Sequence, residues 1–214
     1  MLITVLGPDG TGKTTLAKLI EERYSNIEYI YFGNNIESRK YKYFSKFLYS
    51  QKSGKLNILF KYFFIFINDL YYYKLARNKH IISDRCPIDK YIGTIIKKDK
   101  YRNLFHKFTL NLFPNPNFVI LLEGDSEIIF HRKEEISISI IDRYMLLYRE
   151  YLTKNNLDFF SIDTSVNGIE ETLNLAKFEI NKRLYDKYDD NEKNSTRYDI
   201  IENYTKILKL MSPI

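Results

Sequence analysis

The sequence predicts a doubly wound α/β domain, a five-stranded parallel sheet flanked by helices, followed by an extra C-terminal helix. Three observations carry this. Five short apolar runs, Leu2–Leu6, Glu28–Phe32, His80–Ser83, Phe118–Leu122 and Phe159–Ile162, alternate with helical stretches, the pattern of a parallel sheet covered on both faces. The first run enters a glycine-rich turn, Gly7 to Thr14, of the kind that joins a strand to a helix. The chain has 214 residues, 44% of them apolar, which suffices for one large core.

The elements follow in order. After the turn, Leu16, Ile20 and Tyr24 recur at helical spacing. Residues 56–77 are apolar and aromatic almost all round, which predicts a helix packed on several sides. Residues 128–151 read as one or two further helices. Residues 1–184 thus form the main domain and 185–196 a charged linker, from Asp186-Lys187-Tyr188-Asp189-Asp190 to Asn194. In 197–214, Ile200, Tyr204, Ile207, Leu208 and Met211 share one helical face, and Ser195 or Thr196 is placed to cap it. That helix docks either on its own domain or on a partner subunit.

Composition narrows the partners. The net charge is +6, with 33 basic and 27 acidic residues intermixed along the chain, which fits anionic nucleotides better than a nucleic-acid footprint. The single cysteine, Cys86, excludes an internal disulfide and fits a reducing cytoplasm. The first residues already belong to the strand before the turn, so no signal peptide is expected. The longest apolar stretch, 62–67, is far shorter than a membrane span. The 19 tyrosines and 15 phenylalanines read chiefly as composition bias. His80, His106 and His131 are too scattered to suggest histidine catalysis.

The turn reads Gly7-Pro8-Asp9-Gly10-Thr11-Gly12-Lys13-Thr14, a complete G-x-x-x-x-G-K-[ST] phosphate loop. Its glycines let backbone N–H groups converge on one point, where the next helix adds its positive end. Lys13 would reach the β/γ-phosphates, and the Thr14 hydroxyl would ligate the bridging Mg²⁺. Mg-nucleotide binding follows. Gly7, Asp9, Gly10, Thr11, Gly12, Lys13, Thr14 and Thr15 are the expected nucleotide-binding residues.

Asp84-Arg85 ends the strand His80–Ser83 and would emerge at the carboxyl edge of the sheet, where such folds bind ligands. A carboxylate there holds Mg²⁺ or orients an acceptor, and an adjacent arginine clamps phosphate oxygens. The alternative is a salt-bridged pair without a ligand. The basic cluster His131-Arg132-Lys133-Glu134-Glu135 follows the fourth strand. Arg132 suits a closing lid that neutralises charge on a transferred phosphoryl, whereas Lys133, Glu134 and Glu135 read as an exposed, internally paired helix face. Cys86 reads as a small buried residue, or as a reactive thiol if Arg85 lowers its pKa.

Together the loop at 7–15, the Asp84-Arg85 pair followed by Asp89, and Arg132-Lys133-Glu134-Glu135 resemble thymidylate kinase and its phosphate-loop relatives over residues 1–184. The resemblance implies the P-loop kinase fold and an ATP-dependent phosphotransferase of nucleotide biosynthesis, a magnesium enzyme converting dTMP to dTDP. It assigns Asp9 to placing the acceptor and Asp84 and Arg85 to Mg²⁺ and phosphate. It also puts adenine near Arg143 and the loop 163–167, and implies a homodimer formed through helices such as 56–77.

The chain departs from that family on the acceptor side. Phe66 matches the thymine-stacking phenylalanine, but Leu70 stands where the partner arginine belongs. Tyr31-Phe32-Gly33-Asn34-Asn35 replaces the Arg-Glu-Pro-Gly-Gly segment, Cys86 replaces a tyrosine, and Ile92-Gly93-Thr94 replaces Ala-Tyr-Gln. Losing a charge-assisted phosphate contact costs about 1.5–3 kcal/mol, unless Arg39, Lys40 or Arg77 substitutes. Two classes of acceptor stay open: a nucleoside monophosphate, first of all dTMP, or a nucleoside, sugar or other metabolite. A nucleotide switch is disfavoured, because no Asn-Lys-x-Asp is present and Asn78-Lys79 continues as His80-Ile81. An inactive nucleotide-binding module is the remaining alternative.

Overall fold

The computed structural model describes residues 1–33, Phe63, Phe66, Ile67, Asp69, Leu70, Tyr73, Lys74 and 79–189. The order is β1 (Leu2–Leu6), α1 (Lys13–Arg23), β2 (Ile27–Tyr31), β3 (His80–Asp84), α2 (Pro87–Ile96), α3 (Lys100–Leu112), β4 (Phe118–Glu123), α4 (Ser126–Arg132), α5 (Ile138–Lys154), β5 (Phe159–Asp163) and α6 (Ile169–Asp189). The chain divides into two compact units, Met1–Leu175 and Ala176–Ile214. No described helix is long and apolar enough to cross a membrane.

In the first unit the five strands are all parallel, in the order β2-β3-β1-β4-β5. β1 and β4 are buried at every position, which is why both read as unbroken apolar runs rather than alternating ones. Thr4 is the polar exception in β1. Its hydroxyl pairs with that of Ser83 across the β1–β3 boundary at 2.8 Å, satisfying two wholly buried groups.

Leu16, Ala17 and Ile20 of α1 are buried completely. α2 and α5 meet around Leu6, Cys86, Ile88, Ile92, Val119, Leu121, Leu147, Tyr148 and Leu152. A second cluster gathers Leu2, Ile30, Phe32, Tyr73, Ile81 and Phe113. Helix starts follow local chemistry: Asp99 caps α3 by accepting from the Arg102 N–H at 3.0 Å, and Asp125 caps α4 by accepting from the Glu127 and Ile128 N–H groups. Pro87 opens α2, where its missing donor costs nothing.

Register positions the site. Val5 lies opposite Asp84, Tyr31 opposite Asp84, and Leu6 opposite Leu121. The chain leaving β1 at Gly7 therefore emerges between the ends of β3 and β4. The segment 128–151 resolves into two helices, α4 and α5, broken at 133–137. α6 runs to Asp189, into the stretch read from sequence as a linker. The remaining linker residues, the helix expected at 197–214, and Arg39, Lys40 and Arg77 lie outside the described residues, as does most of 56–77.

Candidate functional site

Gly7 to Thr14 turns over the end of β1, and Gly7 and Gly10 are required by space as well as angle. A Cβ on Gly7 (φ 147°) would sit 2.3 Å from the Leu122 carbonyl oxygen, and one on Gly10 (φ 97°) 2.8 Å from that of Ile129. The turn is stitched internally, with the Thr11 hydroxyl donating to the Pro8 carbonyl at 2.9 Å. Gly12, left-handed, precedes the first residue of α1, so the helix's unpaired N–H groups open toward the loop. Thr15 lies exposed on the first turn of α1.

Lys13 is buried, 5% exposed. Its ammonium donates to the Pro8 carbonyl at 2.6 Å and lies 3.4 Å from Asp9. Burial, aided by Arg85, holds its pKa below the usual lysine value against the pull of Asp9, Asp89 and Asp84. For Asp9 burial works upward, but Lys13 and Arg85 outweigh it and keep the carboxyl below its ordinary value.

The Thr14 hydroxyl donates to Asp84, joining α1 to the end of β3. Asp84 is wholly buried, and its second oxygen, Oδ1, has no hydrogen-bond partner. Burial raises its carboxyl pKa despite the Thr14 hydrogen bond and the charges of Lys13 and Arg85. A hydroxyl beside an orphaned buried carboxylate oxygen is an all-oxygen donor pair that suits a hard divalent cation. Thr14 and Asp84 are therefore the residues that would hold Mg²⁺. No cluster of three or more His, Cys, Asp or Glu side chains able to hold a metal is found among the described residues, so phosphate oxygens and water would complete its shell.

Arg85 leaves β3 with φ 72°, a left-handed conformation uncommon outside glycine. Its backbone N–H donates to the Val5 carbonyl at 3.0 Å. Its guanidinium pairs with Asp9 of the loop and lies 3.4 Å from Asp89 of α2. Burial disfavours the charge, but Asp89 and Asp9 more than restore it, so Arg85 stays cationic. Cys86, next along, is fully buried, and that burial pushes its thiol up to about 12. Complete burial fits the packed-residue alternative for Cys86.

Arg132, at the end of α4, donates to the Thr164 carbonyl at 2.6 Å and to its hydroxyl at 3.2 Å. It thus ties α4 to the loop after β5. Lys133 pairs with Glu135 at 3.1 Å, but Lys133, Glu134 and Glu135 stand in the turn between α4 and α5 rather than on the helix face read from sequence. Arg143 is exposed on α5. Phe66 belongs to the aromatic side of the sheet cluster. It packs on the aromatic cluster, edge-on to Phe113 with ring centroids 5.5 Å apart, and Leu70 is exposed.

Two groups had no signal in the sequence. Tyr148, in the middle of α5 and wholly buried, donates its phenol to Asp89. Asp69 and Lys90, of α2, form a buried pair. Both partnerships span residues remote in sequence and would be visible only as covariation.

No family model and no curated protein matches the chain. Solved structures do. Deoxyadenosine kinase from M. mycoides, determined with dCMP and dCDP bound, aligns with a TM-score of 0.59 at 19% identity, over 85% of this chain and 100% of that one. Thymidylate kinase from Candida albicans gives 0.61 at 19% identity over 85% and 92%. The YorR protein from Bacillus subtilis, in complex with phosphorylated GDP, gives 0.53 at 21% identity over 86% and 98%. The chain shares the fold of these proteins.

Proposed function

We propose that this protein transfers the γ-phosphoryl group of ATP to a nucleoside monophosphate, with dTMP the first candidate. The observation that carries the reading is the convergence of Thr14 on Asp84 and of Arg85 on Asp9, which gathers a hydroxyl, an orphaned carboxylate oxygen and a guanidinium beside the phosphate loop. Phosphoryl transfer asks for positioning and charge neutralisation more than for covalent chemistry. The loop N–H groups and Lys13 bind the β- and γ-phosphates. Thr14 and Asp84 would hold Mg²⁺, which when bound would supply neutralisation of phosphate charge. Arg85 meets the transferred group, and Asp9 holds Arg85 over the loop. Arg132 joins it only by releasing Thr164. Adenine rests near Arg143 and residues 163–167.

A second reading, a nucleoside acceptor, is favoured by one specific observation. Arg85 is already shared between two carboxylates, Asp9 and Asp89, so it has less charge to offer a second, acceptor phosphate beside the transferred one. Deoxyadenosine kinase, among the similar folds, takes a nucleoside. ADP release from Mg-ATP, with dTMP, dUMP, other nucleoside monophosphates and free nucleosides each offered in turn, separates the readings. Stimulation by dTMP supports the first and by nucleosides alone the second. Release that no acceptor stimulates sinks both.

A further inference from the structure

Asp89 is divided between two partners. One oxygen accepts the Tyr148 phenol from α5, and the other faces the Arg85 guanidinium at 3.4 Å. Arg85 in turn reaches Asp9, and Asp9 reaches Lys13. A single line of hydrogen bonds and ion pairs therefore runs from the middle of α5, through the first turn of α2, to the lysine of the phosphate loop.

We infer that Tyr148 is a positioning residue, which fixes the Asp89 carboxylate so that Arg85 is held over the phosphate loop; the inference rests on the kinase reading for Arg85. The physical reasons are local. A carboxylate on a short side chain can rotate about its terminal bond, and a hydrogen bond to one oxygen sets where the other points. The phenol itself cannot wander, because Tyr148 is wholly buried among Cys86, Ile88 and Leu152 and stacks on Tyr144 with ring centroids 5.9 Å apart. A rigid core residue thus sets a half-buried one, and that one sets a guanidinium whose backbone is already fixed in the left-handed region. The device resembles the outer-shell support that orients catalytic groups elsewhere.

The test is Tyr148→Phe, which keeps the ring and removes the donor. The expected result is a fall in kcat of about tenfold to hundredfold, the cost of displacing a charge-stabilising group by a fraction of an ångström to an ångström, with KM for ATP changed by about twofold or less. Adding Tyr148→Phe to Asp89→Asn should cost nothing more, because both act through one contact. Leu152→Val, in the same core, should lower stability without moving kcat. Rotation of the Arg85 guanidinium, followed by NMR on arginine-labelled protein with Arg85→Lys for assignment, should quicken in Tyr148→Phe.

A folded Tyr148→Phe protein with kcat and guanidinium rotation both unchanged overturns the inference. Should that variant not fold, 3-fluorotyrosine at 148 alters the acidity of the phenol at nearly constant shape, and an unmoved kcat and rotation there overturn it equally. Wild-type protein silent toward every acceptor would sink the kinase reading instead, and the NMR comparison would still decide whether Tyr148 holds Arg85.

Discussion

The Thr14 hydroxyl donates to one oxygen of the Asp84 carboxylate, while the other oxygen of that wholly buried group has no hydrogen-bond partner. A buried, half-satisfied carboxylate costs stability. A ligand bound at the phosphate loop would satisfy that oxygen, as the proposed Mg²⁺ role of Asp84 requires.

Asp84→Asn should accordingly stabilise the ligand-free protein by about 1 kcal/mol, a rise in Tm of about 2–4 °C for a chain of this size, while lowering Mg-ATP turnover at least about a hundredfold. The sign follows from burial, which raises the folded pKa above the unfolded one. Wild-type stability is therefore lost as pH rises through that interval, and the penalty is full above the folded pKa. The gain from Asp84→Asn should be largest at neutral pH and shrink on acidification. A variant less stable than wild type at pH 7 would show that Asp84 is a structural group.

Lys13→Met should abolish turnover and leave the domain folded. The ammonium is buried and its pKa is depressed chiefly by that burial, so the thioether removes a desolvated charge but leaves Asp9 with Arg85 as its remaining partner. Melting curves with and without Mg-ATP check both halves of the expectation. Wild-type protein should be stabilised as RT ln(1 + [L]/Kd), and the variant should show little shift. Retained turnover would remove Lys13 from the phosphate site.

The glycines of the loop should respond unequally. Gly7→Ala drives a Cβ to 2.3 Å from a strand carbonyl that cannot retreat, and should cost several kcal/mol or eliminate nucleotide binding. Gly12→Ala meets nothing within 4 Å and bears only the left-handed penalty, about 1–2 kcal/mol. Urea midpoints for the two variants test the ranking, and equal losses would mean that backbone angle alone matters.

Much of this was readable from residues alone because it depends on local pattern. Each of the five strand candidates lies within one residue of the observed strand at both ends, since buried parallel strands are continuous apolar runs bounded by turns. Asp84 is the last residue of β3 as its place beside that run implied. What stayed hidden depends on three-dimensional closure. Nothing in the sequence joins Tyr148 to Asp89 or Arg132 to Thr164, and the left-handed turn at Arg85 carries no glycine to announce it. Phe66 shows the limit of motif matching: the motif marks it as a base-stacking position, and only the structure shows that its ring also packs edge-on to Phe113.

His106 of α3 should make the protein acid-labile. Burial, with Lys90 and Arg102 nearby, lowers its pKa to about 4 from the ordinary 6.5. The unfolded chain therefore takes up a proton that the folded one refuses. Stability contributed by neutral His106 is full above about 6.5 and is lost as pH falls toward about 4. The urea midpoint should decline across that window, and His106→Gln should flatten the decline. An unchanged slope would assign the acid sensitivity elsewhere.

Phe66→Ala discriminates between packing and recognition. The ring is half-buried and edge-on to Phe113, within a cluster that includes Tyr73 and Phe32. Truncation should cost about 1–3 kcal/mol, less than for a fully buried phenylalanine because part of the site stays open to solvent. If packing is its role, acceptor KM should stay near the wild-type value once the variant is assayed well below its melting temperature. Leu70→Arg, on the exposed side of the same segment, should then leave dTMP use unchanged, since an arginine there has no stacked base to serve. A severalfold rise in acceptor KM for Phe66→Ala without loss of stability, or improved dTMP use by Leu70→Arg, would return this segment to the acceptor pocket.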